Sequence, residues 1–157
     1  MMDTYARDFM KPEDKAYQKA HEEANKEKLS KVWGFLGDYH VASLSKTLSS
    51  YDMDLDSALG ESNRQSRHTY NKRRYQDILV ELVEGSVEKK NSFSISFLPL
   101  AKPDSESAHR WKFAYTSMKK GKFPGYRIKT YEFLHYHYVD DGNHRRSVSG
   151  FLGRDII

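Results

Sequence analysis

Three histidines near the C-terminus are the residues of this chain best suited to chemistry. His135 and His137 stand two apart, and His144 follows beyond Asp141-Gly142. On a β-strand, residues two apart point to the same face. Asp-Gly between two β-prone runs is the strongest short-range signal for a hairpin with a two-residue turn. In that register Asp140 pairs with Asn143, Val139 with His144, and His137 with Arg146. His144 then lies diagonally across from His137, and three imidazoles converge from neighbouring strands. Imidazole is a good zinc ligand, so His135, His137 and His144 would supply three positions of a tetrahedral site. No carboxylate or fourth ligand stands at a matching position. The expected state is therefore one without a cofactor, with zinc on the three histidines as the alternative.

Other motifs point weakly to catalysis. His135-Tyr136-His137 resembles the His-hydrophobe-His element of HUH endonucleases, which cut single-stranded DNA with a tyrosine nucleophile. In that family the tyrosine follows the histidine pair on a helix. Here no tyrosine follows Tyr138, and the Tyr-x-x-Lys run Tyr126-Arg127-Ile128-Lys129 precedes the pair. Ser43-Leu44-Ser45-Lys46 has Ser-x-x-Lys spacing, but it sits in an amphipathic stretch without companion motifs. Asp52-Met53-Asp54-Leu55-Asp56 opens like a calcium loop, yet Ser57 replaces the needed glycine and Asn63 the closing glutamate. Phosphate-loop, dinucleotide, zinc-protease and nucleophile-elbow motifs are absent. A protein that binds rather than catalyses is the expectation.

The same C-terminal stretch concentrates charge and aromatic rings. Alternation puts Arg127, Lys129, Tyr131, Phe133, His135, His137 and Val139 on one strand face. Tyr126, Ile128, Leu134, Tyr136 and Tyr138 take the other. Long charged side chains are rarely buried unpaired, so the first face should look outward and the second into the core. The proposed second strand adds His144, Arg146 and Val148 to the outward face. A nucleic-acid surface follows from this arrangement. Arg110, Lys112, Lys119, Lys120, Lys122, Arg127, Lys129 and Arg146 would neutralise phosphates, while Tyr131, Phe133 and His135 stack on bases. Trp111, Phe113 and Tyr115 alternate as a second aromatic stripe, which is expected to be core.

Composition agrees with a binding role. The chain has 157 residues and a net charge of +4, with 38% apolar and 31% charged residues. Residues 1–60 hold 8 Lys/Arg against 11 Asp/Glu, whereas residues 91–157 hold 11 against 6. Two windows, Arg64–Arg74 and Ser107–Tyr131, contain several cations and no acid, the footprint of a polyanion site. There is no cysteine, so disulfides and thiolate metal sites are excluded. No apolar run reaches the ~20 residues of a membrane helix, and the N-terminus lacks a signal-peptide core. An intracellular, cytoplasmic protein without membrane contact is expected.

The elements that must position these residues divide the chain in two. Residues 1–11 read as a flexible arm, and residues 12–157 as one α+β domain. Pro12-Glu13-Asp14 starts a helix running to about Leu36. Leu29, Val32, Trp33 and Leu36 should dock its second half. Its first half, with only Tyr17, Ala20 and Ala24 as a thin stripe, should project. Residues 12–28 are thus the candidate surface for self-association or a protein partner. Val41, Leu44, Leu48 and Tyr51 mark a second helix. Tyr75, Ile78, Leu79, Leu82 and Val83 mark a third, ending at Gly85, with a strand as the alternative. Strands are expected at Phe93–Phe97, Arg110–Tyr115 and on both sides of Asp141-Gly142. The fold class is therefore α+β, with the helical part (12–85) packed on one face of a four-stranded antiparallel β-meander (91–157). The function expected is nucleic-acid binding, single-stranded in preference. A protein-interaction module, as inhibitor or assembly component, is the second reading, and a metal-dependent enzyme on the histidine hairpin the third.

Overall fold

The computed structural model describes residues 10–33, 38–55, 76–88, 90–121 and 127–157. Residues 1–9 of the arm, the Arg64–Arg74 window, Lys122 and Tyr126 lie outside them. So do the side chains of Val32, Trp33 and Leu36.

Helix α1 (Pro12–Trp33) begins as its sequence dictates, with Glu13 and Asp14 in the first turn beside the positive end of the dipole. The thin stripe is what docks: Tyr17, Ala20 and Ala24 are buried, while Leu29 is exposed. This corrects the expectation that the first half projects. Small alanines let the helix approach closely, and Tyr17 fills the remaining space. Its ring meets Trp111 edge-on, and its hydroxyl donates to the Ala101 carbonyl. The apolar stripe within residues 12–28 is thus consumed by the core.

Strand β1 (Ala42–Ser43) leads into the short helix α2 (Leu44–Ser49). A turn of 3-10 helix (Val80–Leu82) precedes β2 (Val83–Ser86), so the expected third helix does not form over the described residues and the strand alternative holds only from Val83 onward. Helix α3 (Glu106–Lys119) occupies the place of an expected strand. The Ser105 hydroxyl caps it by accepting the Ala108 N–H at 3.1 Å. Ala108, Trp111, Ala114 and Met118 then recur on one buried face, and this helical period outcompetes the two-residue alternation of Trp111, Phe113 and Tyr115.

The hairpin exists, but not at Asp141-Gly142. Strands β3 (Lys129–Phe133) and β4 (Tyr136–Asp141) join at Leu134-His135, with φ of 50° and 68°. Positive φ at both central residues is what a tight, twist-matched hairpin turn needs. Gly142 also adopts positive φ, 105°, but it starts helix α4 (Asn143–Phe151) rather than a returning strand. A Cβ there would lie 2.6 Å from Ile128 Cγ2. The Asp-Gly signal therefore marks a real left-handed turn, and the segment after it is helical because Arg146, Ser147, Val148 and Ser149 bury together.

The protein is α+β, with a four-stranded sheet of order β1-β2-β4-β3. The sheet is mixed: β1, β2 and β4 run parallel, and only β3 is antiparallel to β4. This replaces the expected antiparallel meander, since α3 lies in the connection between the parallel strands β2 and β4. Phe93 and Ser94 make only isolated bridges, not a strand. Helices cover both faces. Val83 and Val139 pack with Tyr17, Trp111 and Val148 on one side. Tyr138 packs with Leu44 and Leu48 of α2 on the other, where Tyr131 and Phe133 join them.

Candidate nucleic-acid interface

The structure disperses the surface expected on the hairpin. Arg146 is buried: its Nε donates to the Val83 carbonyl at 3.2 Å and its guanidinium lies 4.8 Å above the Phe97 ring. Burial pulls its pKa down to about 10, so it stays charged at neutral pH. It stands on α4, which is why the strand register placed it wrongly. Tyr131 and Phe133 are half-buried against the α2 cluster rather than free to stack. Lys129 Nζ pairs with Asp140 at 2.7 Å, and that hydrogen bond raises its pKa. Lys112 ties α3 to α1 through Asp14 at 2.8 Å and caps the Pro103 carbonyl. Leu134 and Tyr136 were expected inward and are exposed, while His137 was expected outward and is buried. Lys119 and Lys120 are exposed at the C-terminal end of α3, and Arg127 is exposed before β3.

The three histidines occupy three different environments. His135 sits on the hairpin tip with its side chain 98% exposed. His137 is buried, its Nδ1 3.1 Å from Thr130 Oγ1. His144 is on α4, its Nε2 3.0 Å from Ser107 Oγ and its ring edge-on to Phe93. Among the described residues no group of three or more His, Cys, Asp or Glu is placed to hold a metal ion. The convergence of His135, His137 and His144 depended on a returning strand after Gly142, and that segment is helix.

A different cluster forms around His144. A cleft of about 720 Å3 opens between α3 and the corner where β4 turns into α4. Glu106, Arg110, Phe113 and Ser117 line it from α3, Lys90 and Ser92 from the preceding loop, Asp140 and Asp141 from β4, and Asn143, His144 and Arg145 from α4, so Lys90, Arg110 and Arg145 share the cleft with three carboxylates. Lys90, Arg110 and Arg145 all act on the same imidazole. Burial first, then Arg110, Lys90 and Arg145, hold the His144 pKa down to about 4. The ring is neutral at physiological pH for that reason. Arg145 is held in place by Asp141 at 2.7 Å and by the Arg127 carbonyl. Arg110 pairs with Glu106 one turn back at 2.6 Å, with both side chains largely exposed. Phe113 is 76% exposed on the same wall.

Of the described residues expected at the interface, only Arg110 lines this cleft, together with His144 from the expected metal set. Lys90, Asn143 and Arg145 were missed, and Phe113, expected in the core with Trp111, is exposed because the segment is helical. A helical reading of residues 106–119 would have found part of it. It puts Arg110, Phe113 and Ser117 on one stripe at i, i+3 and i+7, apart from the Trp111 face. Lys90 and Arg145 carry no such signal, because only the tertiary fold brings them together.

A second cavity, about 470 Å3, contains the Ser-x-x-Lys segment. The Ser43 hydroxyl there is the cap of α2 and accepts the Lys46 N–H at 3.4 Å. Thr47 and Ser49 donate to backbone carbonyls one turn back. The motif is a helix start rather than an activated nucleophile.

No family model, curated protein or solved structure matches this chain.

Proposed function

We propose that the protein binds single-stranded nucleic acid through the cleft between α3 and the start of α4. The observation that carries this reading is Phe113, a largely exposed ring beside Arg110 on a wall that Lys90 and Arg145 complete. Phe113 thus offers a free aromatic face within the cleft, and such a face stacks on any unpaired base. Lys90, and Arg110 and Arg145 once drawn from their exposed partners Glu106 and Asp141, would neutralise phosphates irrespective of sequence. Duplex bases offer no free face to such a ring, which favours single strands. Lys119 and Lys120 add two exposed cations at the end of the same helix. Anisotropy of a short labelled oligonucleotide tests the reading. Binding should weaken in Phe113→Ala and Arg110→Ala but not in Lys129→Ala, which is not part of the cleft lining. No binding at low salt, or three variants equal to wild type, would refute it.

One observation favours protein interaction as a second reading. β3 is one of the two terminal strands of the sheet among the described residues, and exposed Tyr51, Leu134 and Tyr136 lie toward its end, where Tyr51 meets the Phe133 ring. An edge strand beside exposed apolar side chains suits pairing with a partner's strand.

A further inference from the structure

We propose that the cleft takes a single nucleotide, its phosphate against Arg110, Arg145 and Lys90 at the first turn of α4 and its base against Phe113. The inference rests on the nucleic-acid reading above and narrows it to one subsite. Size is the first argument: about 720 Å3 falls within the range of roughly 300–1,000 Å3 usual for small-ligand sites.

Availability of charge is the second. Glu106 is an exposed partner of Arg110, and such a pair has little net strength, so a phosphate can displace it. Lys90 has no carboxylate partner among the described residues. Arg145 is preorganised by Asp141 and the Arg127 carbonyl. Gly142 offers no side chain to cap the first-turn N–H groups of α4, which favour an anion.

Asn143 supplies the third argument. Its side chain lines the cleft and is only 9% exposed, yet its Oδ1 has no donor. A buried acceptor left without a donor is unfavourable. A nucleotide relieves it through its sugar hydroxyls or base amino group, and the terminal torsion of asparagine is soft enough to turn the amide toward it. A nucleotide differs from a simple anion in also covering the exposed Phe113 ring.

Calorimetric titration of the full chain at low salt with adenosine 5′-monophosphate, adenosine and inorganic phosphate provides the test. The nucleotide should bind at least about tenfold more tightly than either fragment, since charge and stacking contributions combine. Arg110→Ala and Phe113→Ala alter exposed side chains and should each weaken it by about fivefold or more. Equal affinity for nucleotide and inorganic phosphate, or indifference to both substitutions, would overturn the proposal. Two outcomes separate it from the broader reading. If an oligonucleotide binds and the nucleotide neither binds nor competes, the subsite is wrong and nucleic-acid binding stands. If the nucleotide binds and no oligonucleotide does, the subsite stands and the broader reading falls.

Discussion

Ser107 Oγ and His144 Nε2 lie 3.0 Å apart and join the first turn of α3 to the first turn of α4. Both residues line the cleft, and the contact holds an imidazole near three cations that disfavour its protonation. Its folded pKa, about 4, lies below the ordinary value near 6.5. Between those values the unfolded chain binds a proton that the folded chain refuses, so stability rises with pH. The contribution is fully present above about pH 6.5 and is lost as pH falls toward 4, by at most about 3 kcal/mol. Urea denaturation at pH 7 and pH 4.5 should show wild type losing more stability than His144→Gln. Equal losses would mean that His144 titrates normally.

Trp111 and Ser147 test the α3–α4 contact itself. The indole N–H donates to Ser147 Oγ at 2.8 Å, and both residues are buried. Ser147→Ala leaves that N–H without an acceptor and should destabilise the protein by about 1–3 kcal/mol. Thermal unfolding of the variant measures the effect, and an unchanged midpoint would show that the indole finds another acceptor.

The hairpin turn offers a stabilising change. Leu134 and His135 both hold positive φ, and both are exposed. Non-glycine residues pay a steric penalty there, of about 1–2 kcal/mol each. Replacing the pair by Asn-Gly (Leu134→Asn with His135→Gly) should raise stability by about 1–2 kcal/mol, because both lost side chains are largely exposed. A destabilised double variant would place the turn elsewhere.

That turn shows why the sequence was only partly legible. Asp141-Gly142 announces a left-handed residue, and Gly142 is one. The dipeptide carries no information on whether a strand or a helix follows, and the choice was made by burial of Arg146, Ser147 and Val148 against β2 and α3. Leu134-His135 carries no turn signal, because its conformation is imposed by pairing of Phe133 with Tyr136. The start of α1 was legible from Pro12 and two acids. Its docking face was not, because alanine reads as neutral until a partner such as Trp111 is known. Trp111, Phe113 and Tyr115 fit two periods, and the Ser105 cap decides between them. Arg110 was visible as a cation in a basic window. Lys90 and Arg145 join it only through the parallel crossover and the β4–α4 corner, contacts distant in sequence.

Salt dependence separates charge from stacking in the cleft. If Arg110, Arg145 and Lys90 contact phosphates of a single strand, log K should fall with log salt at a slope of roughly −2, from about −0.7 per contact. Arg110→Ala removes one contact, so the slope should become shallower by about that share, with all sequences weakened alike. Phe113→Ala removes only a ring, so affinity should drop by about 1–3 kcal/mol with the slope unchanged. Arg146→Lys provides the control, since a buried guanidinium touches no phosphate and should leave the slope as it is in a variant that still folds. A slope steeper than about −3.5 would mean five or more contacts, enlisting the exposed Lys119, Lys120 and Arg127 and spreading the interface beyond the cleft. A flat response would exclude phosphate contacts and leave the exposed edge of β3, with Tyr51, Leu134 and Tyr136 beside it, as the surface to test against a protein partner.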